Sequence, residues 1–247
     1  MIVKRDVLVL VPAYNEEKSV GGVLESLLAD GYTVLLVSDG STDRTASIGR
    51  ALGVDVLELP INLGVGGALR AGFRLARRRG FSAVVQIDAD GQHPVEEIDA
   101  LITEANRSGA HMVIGSRFVT DLGGMRVALV RRSAMRVLAR SASAAVGRTI
   151  TDSTSGFRLI REPLLGEFAD HFANNYLGDT YEAVVSAGRA GYSVVEVPVL
   201  LRDRAHGEST ASTGSAVRFT LKGLGVVMLG LHKRLRPLDI REERSIS

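Results

Sequence analysis

Val7-Leu8-Val9-Leu10-Val11-Pro12-Ala13-Tyr14-Asn15-Glu16-Glu17 carries an unbroken apolar run into a proline and then into a polar turn. Five apolar residues without alternation read as a strand buried on both faces. Pro12 is expected to end it, because proline lacks the N–H that a central strand donates. An amphipathic helix follows on Val20, Val23, Leu24, Leu27 and Leu28, closed by Asp30-Gly31.

The same alternation continues downstream. Residues 33–37 form a strand stopped by Ser38-Asp39-Gly40, and Asp43 caps a helix running to about Leu52. Residues 55–59 are a third strand. The next helix is carried by Ala68, Leu69, Gly72, Phe73, Leu75 and Ala76 and ends in Arg77-Arg78-Arg79-Gly80. Residues 83–87 form a strand, Pro94 opens a helix through Ile98, Leu101 and Ile102, and residues 112–115 form another strand. Strands with continuous apolar runs alternating with helices give an α/β fold whose mostly parallel sheet is covered on both faces. Ligands bind such sheets at the carboxyl ends of the strands. The second half is less regular: helices at 129–146 and 178–190, a strand at 193–200, and a long apolar helix at 213–231 before the basic run Lys233-Arg234-Leu235-Arg236.

The 247 residues are 45% apolar and 23% charged, a globular composition. No cysteine is present, which excludes disulfides, thiolate metal sites and a cysteine nucleophile. The amino terminus lacks the pattern of a signal peptide, and no uncharged apolar run is long enough to span a bilayer. The net charge of +2 argues against a nucleic-acid scaffold, yet it conceals an asymmetry. Residues 1–116 hold 11 basic and 15 acidic residues, residues 117–161 hold 9 and 2, and residues 162–247 hold 10 and 11. The middle segment is where an anion is expected.

Polar clusters follow three of the strands: Pro12 to Glu17, Ser38 to Asp43, and Asp88-Ala89-Asp90-Gly91-Gln92-His93. Such residues also serve as turns and helix caps, but Asp88 and Asp90 ask for more. Two carboxylates one residue apart lie on the same side of an extended chain. Their repulsion is relieved by a cation, and hard oxygen ligands suit Mg²⁺ or Mn²⁺. Gln92 adds a carbonyl oxygen. The five histidines show no paired metal-ligand spacing.

These clusters, with Asn62-Leu63-Gly64, come in the order and spacing of family 2 glycosyltransferases with the GT-A fold, which the chain resembles over about residues 6–215. Gly115-Ser116-Arg117, Asp152-Ser153-Thr154-Ser155-Gly156-Phe157-Arg158 and Arg204-Ala205-His206-Gly207-Glu208-Ser209 look like the branch that resembles dolichol-phosphate mannose synthase. The resemblance implies transfer of a hexose, mannose or glucose, from a GDP- or UDP-linked donor to a polyprenyl phosphate, with inversion. It places Pro12, Tyr14, Glu16, Asp39, Asn62 and Gly64 at the nucleotide sugar, with Asp39 accepting a hydrogen bond from the base. Ser38 stands where the family usually has a first acid. Asp88, Asp90 and Gln92 would hold the divalent ion on the donor diphosphate. Arg117, Arg131, Arg132, Ser155, Arg158 and Ser209 would meet the acceptor phosphate. Arg204 and Ser209 match a loop that closes over the diphosphate, although Thr210 stands where a lysine often follows. Asp90, Arg117, Arg131 and Arg204 are the expected catalytic set.

Two readings stay open at several positions. Gly64-Val65-Gly66-Gly67 is either a phosphate cradle or a closely packed helix start, and Phe157 is either core or contact. Arg136, Arg140 and Arg148 read as a solvated helix face. A lipid phosphate is already anionic and needs no strong base. A glycan or small hydroxyl acceptor would need one, and Asp179 or Glu182 are its candidates, against ordinary helix-surface acids. A non-catalytic nucleotide-binding module would not need the full charged set, and no Gly-x-Gly-x-x-Gly follows the first strand to suggest a dehydrogenase.

The expected organisation is a catalytic domain over 1–212, with a donor and metal half (1–116) and an acceptor half (117–212). An apolar or amphipathic helix over 213–236 and a flexible tail over 237–247 complete it. That helix either packs on the domain or lies on an anionic membrane. The expected location is cytoplasmic, with peripheral contact on the cytoplasmic face, and no oligomeric state is implied.

Overall fold

The computed structural model describes residues 1–116, 129–172, 179–200 and 235–238, with backbone alone for 129–134 and 179. In chain order the elements are β1 (Val7–Ala13), α1 (Val20–Ala29), β2 (Thr33–Asp39), α2 (Thr45–Ala51), β3 (Asp55–Leu59), α3 (Gly64–Arg78) and β4 (Ala83–Gln86). Then come α4 (Ile98–Ser108), β5 (Met112–Ser116), α5 (Leu129–Val146), β6 (Arg158–Arg161), α6 (Leu164–His171), α7 (Asp179–Arg189) and β7 (Val194–Pro198). The strands form one sheet in the order β3-β2-β1-β4-β6-β5-β7.

Every pairing is parallel except the two made by β6, which lies antiparallel between β4 and β5. The mostly parallel sheet agrees with the sequence reading; β6 and α6 were not foreseen. β6 is four residues long and opens and closes on arginine, so it lacks the apolar run that marked its neighbours. Its direction matters for function. Arg158 pairs with Gln86 and Ile114, so the loop before β6 arrives at the carboxyl ends of β4 and β5.

Side chains alternate across the sheet as the two-residue repeat requires. Val7, Val9, Val11, Leu36, Val85, Val113 and Leu159 pack with Val20, Leu24, Leu27, Ile98 and Leu101 of α1 and α4. Leu8, Leu10, Leu35, Val84, Met112 and Ile160 face Leu69, Phe73, Leu138, Phe168 and Val184 of α3, α5, α6 and α7. An aromatic trio, Phe73, Phe168 and Phe172, joins α3 to α6 with ring centroids 4.9–6.0 Å apart. Burial of this apolar area on both faces supplies most of the folding drive.

Three boundaries depart from expectation. β1 runs through Pro12 to Ala13. Its pairing with β4 ends at Leu10, so the missing N–H of Pro12 leaves no β4 carbonyl unmatched. α3 begins at Gly64, so the Gly64-Val65-Gly66-Gly67 stretch is the first turn of a helix. The end of the expected 213–236 helix and the start of the expected tail both lie against the domain: Leu235 is buried, Arg236 N donates to Glu167 Oε2 (2.9 Å), and Leu238 N donates to the Ala190 carbonyl (2.8 Å). Residues 235 and 236 are not helical, and residues 213–234 and 239–247 lie outside the described residues.

Candidate active site

The loops after β1 and β2 are stitched to one another. Asn15 adopts φ 54°, the left-handed region that asparagine tolerates better than most residues. Its Oδ1 accepts from Thr42 N (2.8 Å), and its own N–H donates to Ser41 Oγ (3.1 Å). Glu16 N donates to Thr45 Oγ1 (2.8 Å) and Glu17 N to Asp43 Oδ2 (3.0 Å). Asp43 Oδ1 accepts from the N–H and hydroxyl of Thr45 at 2.9 and 2.6 Å; Arg44 is the N-cap of α2, so Asp43 meets the first N–H of the helix from one residue before the cap position. Burial raises the Asp43 pKa, but hydrogen bonds from the Thr45 hydroxyl and N–H and from Glu17 N–H outweigh it and hold the carboxyl below its ordinary range. On this frame Pro12 is half-buried and Tyr14 exposed, while the Glu16 carboxylate accepts from Ser19 Oγ (2.7 Å).

Asp39 ends β2 and is buried at 3% exposure. Its Oδ1 accepts from Leu63 N (2.8 Å), and Gly64 N–H bonds to the same carboxyl, placing an anion at the start of α3. Asn62 Oδ1 also accepts from Gly64 N (3.1 Å). Burial pushes the Asp39 pKa up against those two donors. Gly40 makes the close approach possible: a β-carbon there would lie 2.5 Å from Asn62 N. Asp39, Asn62 and Gly64, expected at the nucleotide sugar, are thus brought together, and Asp39 also serves as a helix cap.

Asp88 and Asp90 follow β4 at the same end of the sheet. Asp90 is buried, with Oδ1 accepting from Gln92 N (3.0 Å), whereas the Asp88 side chain is 40% exposed. Gly156 backs Asp88, since a β-carbon on Gly156 would lie within 2.8 Å of both carboxylate oxygens. His93 Nε2 lies 3.4 Å from Asp88 Oδ2, and its ring stacks on Phe157 at 5.1 Å and 19°. Phe157 is fully buried, so it belongs to the core while also carrying His93. Among the described residues no group of three or more His, Cys, Asp or Glu side chains converges as a metal cage. Two adjacent carboxylates, one buried and one open, instead suit a cation completed by water and substrate phosphate oxygens, the habit of Mg²⁺.

Arg158 and Ser155 differ from expectation. Arg158 is 1% exposed, and its guanidinium donates to the carbonyls of Ser155 (2.7 Å), Thr180 (2.8 Å) and Ser153 (3.4 Å). Burial pushes its pKa down to about 10, against the charges of Asp152 and Asp88. With its donors turned to backbone inside the core, Arg158 builds the loop and does not face an acceptor phosphate. Ser155 Oγ donates to the Gly115 carbonyl (2.7 Å) and accepts from Phe157 N (3.2 Å), and is equally buried. Glu196 of β7 holds the loop's other end, accepting from Thr151 N (2.9 Å), Thr151 Oγ1 (2.8 Å) and Asp152 N (2.7 Å). Neither Glu196 nor the Gly156–Asp88 contact had a sequence signal, because each joins segments more than 40 residues apart. His93 did have one, its place directly after Gln92, but histidine spacing alone passed it over.

Arg117, Arg204 and Ser209 lie outside the described residues, as do the side chains of Arg131, Arg132 and Asp179. Glu182, weighed as a base or as a helix-surface acid, is 1% exposed and is therefore no surface acid. Among the described residues no helix is long and apolar enough to cross a membrane.

Comparisons with known proteins bear on the family and the fold. A family model described as Glycosyl transferase family 2 matches residues 8–168. An undecaprenyl-phosphate mannosyltransferase of Micrococcus luteus is 35% identical, covering 93% of this chain and 98% of its own. A polyprenol monophosphomannose synthase of Mycolicibacterium smegmatis is 34% identical over 85% and 82% of the two chains, and a dolichyl-phosphate hexose transferase of Haloferax volcanii is 31% identical over 94% and 96%. Among solved structures, glucosyl-3-phosphoglycerate synthase from Mycobacterium tuberculosis, crystallised with Mn²⁺, UDP and phosphoglyceric acid, superposes with a TM-score of 0.69. It is 20% identical, covers 92% of this chain and 78% of its own, and bears on the fold alone.

Proposed function

The chain belongs to glycosyltransferase family 2, and from that premise we propose that it moves a hexose from a nucleotide-sugar donor to a polyprenyl phosphate with inversion. The observation that carries this reading is the gathering, at one end of the sheet, of the Asp39 loop, the Asp88–Asp90 pair and the 152–157 loop. The relatives named for polyprenyl-phosphate acceptors match this chain nearly end to end.

In this reading Pro12, Tyr14, Glu16 and Asp39 line the nucleoside site, and Asn62 and Gly64 shape its edge. Asp88 and Asp90, with the Gln92 carbonyl, hold Mg²⁺ or Mn²⁺, whose charge offsets that of the departing nucleoside diphosphate. Arg117 and Arg131, with Arg132, orient the acceptor phosphate through paired guanidinium donors. Arg204 and Ser209 close over the donor. The acceptor phosphate is the nucleophile and already carries the attacking charge. Catalysis therefore rests on placing it in line with the anomeric carbon and on stabilising the leaving group. Access to a lipid acceptor implies peripheral contact with a membrane on its cytoplasmic face, with the 213–236 segment as the candidate anchor. Flotation with anionic liposomes measures that contact, and a complete lack of binding excludes it.

The deciding experiment is sugar transfer from a panel of GDP- and UDP-linked hexoses to a short-chain polyprenyl phosphate, with Mn²⁺ or Mg²⁺. Asp90→Ala abolishes transfer, and Arg131→Ala raises the acceptor KM far more than the donor KM. Full activity in Asp90→Ala, or transfer only to hydroxyl acceptors, overturns the proposal.

A further inference from the structure

Resting on the reading that Asp88 holds the divalent cation, we propose that His93 is the positioning residue for Asp88. It fixes the carboxylate before the cation arrives.

The Asp88 side chain is 40% exposed, and a carboxylate that takes a cation gives up its remaining rotamer freedom when the cation binds. Among the described residues two neighbours restrict it. Gly156 brings backbone against both carboxylate oxygens, and His93 Nε2 approaches Oδ2 from within the same loop. His93 is itself held. Its side chain is 8% exposed, and one ring face lies on Phe157. Phe157 is locked in turn by Gly115, where a β-carbon would lie 2.5 Å from the phenyl ring. Pro94 follows and restricts the His93 backbone.

The imidazole's proton has a preferred nitrogen. Nδ1 is buried with no hydrogen-bond partner among the described residues. A proton there would bury an unmatched N–H and turn the Nε2 lone pair toward a carboxylate. The proton on Nε2 instead gives Asp88 a donor. A supporting contact of this kind commonly changes metal affinity about 10–100-fold when removed. The packing and the donor are separable: His93→Phe keeps the stack on Phe157 and loses the donor, whereas His93→Gln keeps a donor near Nε2 and loses the stack.

The test is titration of the full chain with Mn²⁺ alone, reading free Mn²⁺ by electron paramagnetic resonance, alongside metal-free thermal unfolding. His93→Phe is expected to weaken Mn²⁺ binding at least about 10-fold with little change in Tm, and His93→Gln to recover to within about 3-fold of wild type. Unchanged Mn²⁺ affinity in His93→Phe overturns the proposal, as does equal weakening in both variants accompanied by a fallen Tm. Asp88→Ala separates the two levels. If it loses Mn²⁺ while His93→Phe does not, only the positioning role fails. If Asp88→Ala binds as wild type does, the cation reading of Asp88 fails as well.

Discussion

Gly156 leaves the space that the Asp88 carboxylate occupies: a β-carbon on Gly156 would lie 2.7 Å from Asp88 Oδ2 and 2.8 Å from Oδ1. The two residues are 68 positions apart in sequence and meet because antiparallel β6 returns its preceding loop to the end of β4. Gly156 does not have a positive φ, so the requirement for glycine here is room and not backbone conformation.

Gly156→Ala therefore moves Asp88 without straining the backbone of residue 156. The expected outcome is a loss on the order of 100-fold in kcat/KM, the scale of an ångström-sized misplacement in an active site. The stability cost should be modest, about 1–3 kcal/mol by urea unfolding, as for other overpacked sites. Wild-type kinetics in this variant would show that Asp88 needs no fixed position.

Asp39 and Asp43 lie in one loop yet answer pH in opposite senses. The Asp39 pKa is raised in the folded chain, so its contribution to stability is fully present below the unfolded value of 3.8 and is lost as pH rises through the folded value. Ionised Asp39 at neutral pH is a cost that the fold carries at this site. Asp39→Asn retains an acceptor for Leu63 N–H, so its Tm should equal or exceed that of wild type at pH 7, with the gap closing as pH falls toward 3.8. Nucleotide affinity should fall at the same time, by about 10-fold or more, from loss of a charged acceptor. Thermal scans at several pH values and nucleotide titration measure both.

Asp43 gives the reverse. Its pKa is lowered, so its contribution is present above 3.8 and disappears as pH falls through the folded value. Asp43→Ala removes the acceptor for the first N–H of α2 and for Glu17 N–H, and should cost about 1–2 kcal/mol at pH 7. In urea unfolding the difference from wild type should shrink in acid. A difference independent of pH would assign the loss to packing and not to the carboxylate.

What the sequence discloses and what it hides divide along local and non-local lines. The apolar runs of β1, β2 and β5 and the amphipathic helices α1, α3 and α4 are each written in neighbouring residues, so periodicity finds them. The polar clusters after β1, β2 and β4 are legible for the same reason, and the carboxyl-end rule assembles them at one place. β6 escapes because it is short and flanked by arginines, and its burial comes from β4 and β5 rather than from its own pattern. Arg158 misled for a related reason. The resemblance carried by residues 152–158 implied a phosphate contact for it, but its register opposite Gln86 and Ile114 turns it into the core, where only the folded chain shows the carbonyls it meets.

The buried guanidinium of Arg158 ties the 153–156 loop to the start of α7 through three carbonyls, so its replacement should affect stability and activity by separate routes. Arg158→Met fills similar space but strands those carbonyls and removes the cation beside Asp152 and Asp88. A loss of about 3–5 kcal/mol is expected in urea unfolding. Arg158→Lys keeps a charge, but one ammonium cannot reproduce the planar fork, so its stability should fall between Met and wild type. Because this loop also carries Gly156 against Asp88, Arg158→Lys should raise the apparent KM for Mn²⁺ even under conditions where the protein remains fully folded. An acceptor-phosphate role predicts the contrary pattern, a raised KM for the polyprenyl phosphate with stability and metal dependence unchanged. The two KM values, measured on the same folded sample, decide between them.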